Sequence, residues 1–115
     1  MAPSLSLNFA LKIKGMGLLD IFKGKGPQIR EKLANGAVIV DVRSPAEFKG
    51  GHAKGAKNIP LPQIANKGPQ LQKLNKPVIF CCASGMRSGQ ATRLMRSQGL
   101  DCLNGGAWQS VARYL

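Results

Sequence analysis

The period of hydrophobic and polar positions changes several times along this 115-residue chain, and each change marks an element. Leu5, Leu7, Phe9, Leu11 and Ile13 alternate with Ser6, Asn8, Ala10, Lys12 and Lys14, the period-two pattern of a strand with one buried face or of a loosely attached arm. An apolar patch at Leu18, Leu19, Ile21 and Phe22 reads as one helical turn or two, and Lys23-Gly24-Lys25-Gly26 as a flexible link. Residues 1–26 are therefore expected to form an N-terminal extension and 27–115 one domain. Pro27 opens a helix running to about Leu33, with Ile29 and Leu33 on one face, and Asn35-Gly36 ends it.

Ala37 to Val42 is a nearly continuous β-branched run, as in a central parallel strand covered on both faces. Ser44-Pro45-Ala46-Glu47 has the spacing of a capping box with proline at the first helical position. Ala56 to Ile59 reads as a brief strand ended by Pro60 and Pro62, and Leu71 to Leu74 as a short helical turn or two. Val78, Ile79 and Phe80 form a buried strand, followed by a helix over Ser88 to Gln98 that buries Ala91, Leu94 and Met95. Gly99 stops it. Leu100 to Leu103 supplies a further strand, Gly105-Gly106 a turn, and Ala107 to Tyr114 a terminal helix burying Trp108 and Val111. Strands alternating with helices predict an α/β fold with a small central parallel sheet flanked by helices.

Charge narrows the partners. The 17 Lys and Arg against 5 Asp and Glu give a net charge of +12, which favours anionic ligands. No carboxylate falls between Glu47 and Asp101. A nucleic-acid interface would interleave aromatics with these cations, yet the lone Trp108 and Tyr114 sit near the C-terminus, so no nucleic acid is expected. Cys81, Cys82 and Cys102 form neither a disulfide framework nor a zinc pattern, which points to a reducing compartment and no metal. No segment reaches transmembrane length, and residues 1–14 make a poor signal peptide, so the expected location is cytoplasmic.

The candidate chemistry lies at Cys82, between the end of one strand and the start of a helix. In a parallel sheet that junction gathers loop and first-turn N–H groups without intrahelical partners, and such a site favours an anion. The same field stabilises a thiolate, so Cys82 is expected to be acidic and nucleophilic without a dedicated base. Ala83, Ser84, Gly85, Met86, Arg87 and Ser88 form the loop around it, with Gly85 supplying the unusual dihedrals needed for N–H groups to point inward. Arg87 is expected either to bind a donor's anionic oxygens or to pair with Asp41. Arg43 is expected to pair with Glu47 one helical turn on, while Asp41 anchors loops.

Three functional classes fit a thiolate loop. A sulfur carrier needs a tight cradle. A cysteine phosphatase or arsenate reductase needs a wider one, CxxxxxR, and an acid for the leaving oxygen, whereas this chain has CxxxxR and few carboxylates. A non-catalytic binding module would use Cys82 only as core. Cys81 should face the opposite way from Cys82 into packing, Cys102 should be core, and His52 should make a loop hydrogen bond. Trp108 is expected to form a lid under the terminal helix.

Four segments, VIVDVRSPAEF from Val38, GHAKGAKNIPL from Gly51, IFCCASGMRS from Ile79 and LNGGAWQS from Leu103, together resemble the rhodanese family of sulfurtransferases, in the family's order. The resemblance covers roughly Pro27 to Leu115 and implies a rhodanese-like domain in which Cys82 carries a sulfane sulfur as a persulfide. The chain departs from many members at Ala83, where they have a basic residue, and at Ala53 and Lys54, where they have an apolar residue and a proline. The expected donor is a small anion such as thiosulfate, and the expected acceptor a thiol or cyanide-like nucleophile, with a redox or sulfur-relay protein as a further candidate partner. Asp41 and Arg43 are expected to support the site, and no cofactor is needed.

Overall fold

The computed structural model describes residues 25–115. The expected strand at Leu5–Ile13 and the patch at Leu18–Phe22 lie outside the described residues. Among the described residues five α-helices and four strands alternate: α1 Gly26–Ala34, β1 Val38–Asp41, α2 Pro45–Lys49, β2 Lys57–Asn58, a 3-10 turn Leu61–Gln63, α3 Ile64–Lys73, β3 Val78–Cys82, α4 Met86–Ser97, β4 Cys102–Ala107 and α5 Trp108–Ala112. All pairings are parallel, in the order β2-β1-β3-β4. Among the described residues, no helix is long and apolar enough to cross a membrane.

Period-two alternation sends successive side chains of the sheet into two separate cores. Val40, Val42, Phe80 and Cys82 face Ile64 and Leu71 of α3 and Ala91 and Met95 of α4. Ile39, Ile79, Cys81 and Leu103 face Ile29 of α1 and Val111 of α5. Every residue of β3 is buried, as a strand covered on both faces requires. Each such Val, Leu, Ile or Phe stabilises the fold by roughly 1.5–3 kcal/mol. The adjacent cysteines therefore belong to different cores, as the alternation predicts.

Three expectations are corrected. The helix expected only at Leu71–Leu74 is a ten-residue helix, α3, running through Gly68 and Pro69. Ile64, Gly68 and Leu71 form its buried stripe, and Gly68 leaves room for α4, since a Cβ there would lie 2.9 Å from both Met95 Cε and Gln98 Oε1. Tertiary contact outweighs the two local breakers.

The Gly105-Gly106 pair, expected as a turn, lies inside β4. There the register slips: Phe80 pairs with Asn104, but Cys81 pairs with Gly106. Gly105 is the extra residue of a bulge, and a Cβ on it would lie 2.6 Å from Val111 and 2.7 Å from Ile79, so only glycine fits.

Finally, Leu94 is 39% exposed and does not join the core as expected, while Trp108 is half-buried and packs against the core beneath α1 and α5. The buried stripe of α4 is Ser88, Ala91, Thr92 and Met95, in which Thr92 satisfies its hydroxyl by donating to Ser88 O at 2.7 Å. Trp108 also lies under the guanidinium of Arg43, whose Cζ is 5.2 Å from the ring centroid.

Candidate active site

Cys82 ends β3, and the chain then turns sharply enough to enter α4 at Met86. The turn depends on Gly85, which caps α4 with φ +100°, a conformation that L side chains avoid. A Cβ on Gly85 would also stand 3.2 Å from Gly106 Cα, so the loop needs glycine for dihedral and for space. This is the role the sequence assigned to it.

The result is a set of donors on one sulfur. Gly85 N–H donates to Cys82 Sγ at 3.0 Å, Ser88 N–H at 3.5 Å, and Ser88 Oγ lies 3.3 Å from it. Burial by itself pushes the Cys82 thiol up, but the Ser88 hydroxyl and the N–H groups of Ser88, Gly85 and Ser84 outweigh it, and the thiol ends below its ordinary range. Only 1% of Cys82 is exposed, so the sulfur forms the floor of the loop. Ala83, Ser84 and Met86 stand above it in solvent, Met86 76% exposed.

The two ion pairs near the site exchange the partners expected of them. Arg43 binds Asp41: Nη2 donates to Oδ2 at 2.7 Å, Nε to both carboxylate oxygens at 3.0 Å, and the Arg43 N–H to Oδ1 at 3.0 Å. Arg43 precedes the helix cap Ser44, so helical spacing to Glu47 does not apply, while extended spacing places 41 and 43 on one face. Both are buried, and Arg43 Nη2 also donates to Gly51 O at 2.6 Å, tying β1 to the loop after α2. Asp41 and Arg43 thus organise the strand ends, and Asn58 Nδ2 adds donations to Asp41 O and Arg43 O at 3.0 and 2.9 Å.

Arg87 takes Glu47 instead of Asp41. Its Nη1 and Nη2 donate to Oε1 and Oε2 at 2.8 and 3.0 Å. Glu47 closes the expected capping box as well, accepting from Ser44 N–H at 3.2 Å and donating its own N–H to Ser44 Oγ at 3.2 Å. Arg87 foremost, then the Ser44 N–H, holds the Glu47 carboxyl down at about 2. The α2 cap is thereby fastened to the cysteine loop. A cavity of about 460 Å³ opens beside this fastening, lined by apolar Val42, Pro45, Pro60 and Leu61 with Arg87 at its edge.

Asn104 is the residue that sequence reasoning missed. It sits at the β4 bulge, where Oδ1 is 2.7 Å from Ser88 Oγ and accepts Gly106 N–H at 3.0 Å, while Nδ2 donates to Gly85 O at 3.0 Å. Its signal was present: a polar side chain in a strand otherwise built of apolar and small residues, next to the paired glycines. His52 makes its expected loop hydrogen bond, Nδ1 to Phe48 O at 2.8 Å. Cys102 is core, its Sγ 3.6 Å from Thr92 O.

A parallel α/β domain carrying a buried thiol under a loop of amide donors is a class that sequence comparison makes definite. The Rhodanese-like domain model matches residues 27–110, and the chain belongs to the rhodanese family. It is 33% identical over 98 residues to the thiosulfate sulfurtransferase GlpE of Pseudomonas aeruginosa, covering 80% of this chain and 88% of that protein. It is 43% identical over 63 residues to the uncharacterized protein YqhL of Bacillus subtilis, covering 55% of this chain and 49% of that one, so the chain spans about half the length of YqhL. Among solved structures, the human single-domain sulfurtransferase TSTD1 superposes with a TM-score of 0.60 at 33% identity, covering 78% of this chain and 94% of that one.

Proposed function

We propose that this chain, through residues 27–115, is a sulfurtransferase that carries a sulfane sulfur as a persulfide on Cys82. The observation that carries the reading is the convergence of Gly85 N–H, Ser88 N–H and Ser88 Oγ on Cys82 Sγ. The thiolate attacks the outer sulfur of thiosulfate. A bond forms between Cys82 and that sulfur, the donor's S–S bond breaks, and its electron pair leaves with sulfite. The negative charge ends on the outer sulfur of the persulfide, held by amide dipoles of the Ala83–Ser88 loop that are already in place. A nucleophilic acceptor such as cyanide or a thiolate then takes that sulfur and returns Cys82 to its thiolate. Relatives named thiosulfate sulfurtransferases support thiosulfate as donor.

Phosphoryl chemistry has less support. A leaving oxygen needs a protonated carboxyl nearby, yet Glu47 is held ionised by Arg87 and Asp41 is bound by Arg43. The test is intact-mass analysis after incubation with thiosulfate. The expected result is one added sulfur on Cys82, removed by cyanide and absent in Cys82→Ser. A wild-type protein that gains no sulfur overturns the reading.

A further inference from the structure

Ser88 has one hydroxyl proton and two acceptors for it. Its Oγ lies 3.3 Å from Cys82 Sγ and 2.7 Å from Asn104 Oδ1, and a serine hydroxyl donates only once. A side-chain amide usually escapes such a conflict by turning over, because its two ends are nearly the same shape. Asn104 lacks that freedom. Its Oδ1 accepts Gly106 N–H and its Nδ2 donates to Gly85 O, so reversal would set N–H against N–H and oxygen against oxygen. The backbone at both ends of the amide keeps its oxygen aimed at Ser88.

We propose that Asn104 is a positioning residue that makes Ser88 a one-proton switch: the hydroxyl donates to Sγ while Cys82 is a thiolate, and turns to Asn104 Oδ1 when Sγ is neutral. Sγ is neutral as a thiol and as the inner sulfur of a persulfide. During loading the charge moves one atom outward, the Ser88 proton stays on its oxygen, and only the O–H bond rotates. Asn104 supplies the partner that Ser88 would otherwise lose, so loading proceeds without stranding a buried hydroxyl. The persulfide half of this inference rests on the sulfurtransferase reading; the thiol half does not.

Among the described residues, Arg87 of α4 and Cys81 of β3 feel the charge of Cys82. Asp41 of β1 is bound to Arg43, and Ser88 and Asn104 are uncharged. A pH profile of Cys82 therefore reads the switch with few competing titrations.

The experiment measures the iodoacetamide alkylation rate of Cys82 against pH, with Asn104→Asp and Asn104→Ala each made in the wild-type and the Ser88→Ala background. Thermal melts establish that each variant folds; Asn104→Asp keeps the shape of the side chain but sets an oxygen against Gly85 O, so Asn104→Ala, which makes no such clash, is read beside it. Asn104→Asp holds the Ser88 proton more firmly and moves the profile to higher pH. Its shift is larger with Ser88 present than in Ser88→Ala, by roughly half to one pH unit. Asn104→Ala frees the hydroxyl for Sγ, so its profile lies lower relative to parent with Ser88 present than without. Equal shifts in the two backgrounds for both variants overturn the inference and leave Asn104 as a clamp on Gly85. Thiosulfate loading measured on the same wild-type protein keeps the two readings apart. Equal shifts with normal loading sink only the switch, and coupled shifts without loading sink only the sulfurtransferase.

Discussion

Cys81 and Cys82 are consecutive residues of one strand, 0% and 1% exposed, and their acidities diverge. Burial pushes Cys81 up to about 12, with the Asp41 charge adding to it. Burial pushes Cys82 up too, and donors from Ser88, Gly85 and Ser84 reverse the outcome. Seclusion from water is common to both, so it does not make a thiol reactive. The difference is the supply of unpaired donors. Cys81 lies inside the paired sheet between Asp41 and Gly106, whereas beyond the end of β3 the N–H groups of Gly85 and Ser88 turn to the Cys82 sulfur.

The sharpest break of this comparison is the nucleophile itself. Cys82→Ser is expected to abolish sulfur loading and alkylation of the native protein at neutral pH, while Cys81→Ala retains both, as intact-mass analysis reads directly. Next in size is the support beneath Cys81. Asp41 pairs with Cys81 across β1 and β3, and Asp41→Ala leaves the buried Arg43 unpaired, which is expected to cost about 3–5 kcal/mol in urea unfolding.

Gly85→Ala tests the donor side. Placing a side chain at φ +100° is expected to cost about 1–3 kcal/mol, again in urea unfolding, and to move Cys82 alkylation to higher pH by displacing the Gly85 N–H.

The smallest effect is a pH limb. Because the Cys81 thiol is raised from 9.0 to about 12 in the fold, its contribution to stability is intact below pH 9.0 and lost as pH rises toward 12. Cys81→Ala is expected to make the alkaline fall in melting temperature shallower over that window. Cys82, shifted the other way, gives stability that grows as pH passes upward through its folded value toward 9.0, so Cys82→Ala removes a rise.

Much of this frame is legible along the chain. The β-branched runs at Val38 and Val78, the Ser44–Glu47 box and the Gly85 turn each carry a local physical signature, and each appears where that signature places it. Helix α3 escaped because Gly68 and Pro69 are breakers by propensity, and only the approach of Met95 and Gln98 explains why a glycine is wanted there. The β4 bulge escaped for a related reason: a glycine pair signals a turn until Val111 and Ile79 are known to press on Gly105.

What the order of residues determined by itself was most of the elements, the opposed facing of Cys81 and Cys82, and the thiol at a strand's carboxyl end, because dihedral preferences and the two-residue period act on neighbours. Tertiary structure alone decided that Arg87 meets Glu47 and what Asn104 holds. Arg87 with Glu47, and Asn104 between Gly85 and Ser88, depend on how α2, α4 and β4 pack, whereas Arg43 with Asp41 follows from their two-residue spacing at the end of β1. Side chains far apart in the chain bond to whatever the packed helices and strands bring within about 3 Å, a distance that no spacing between them encodes.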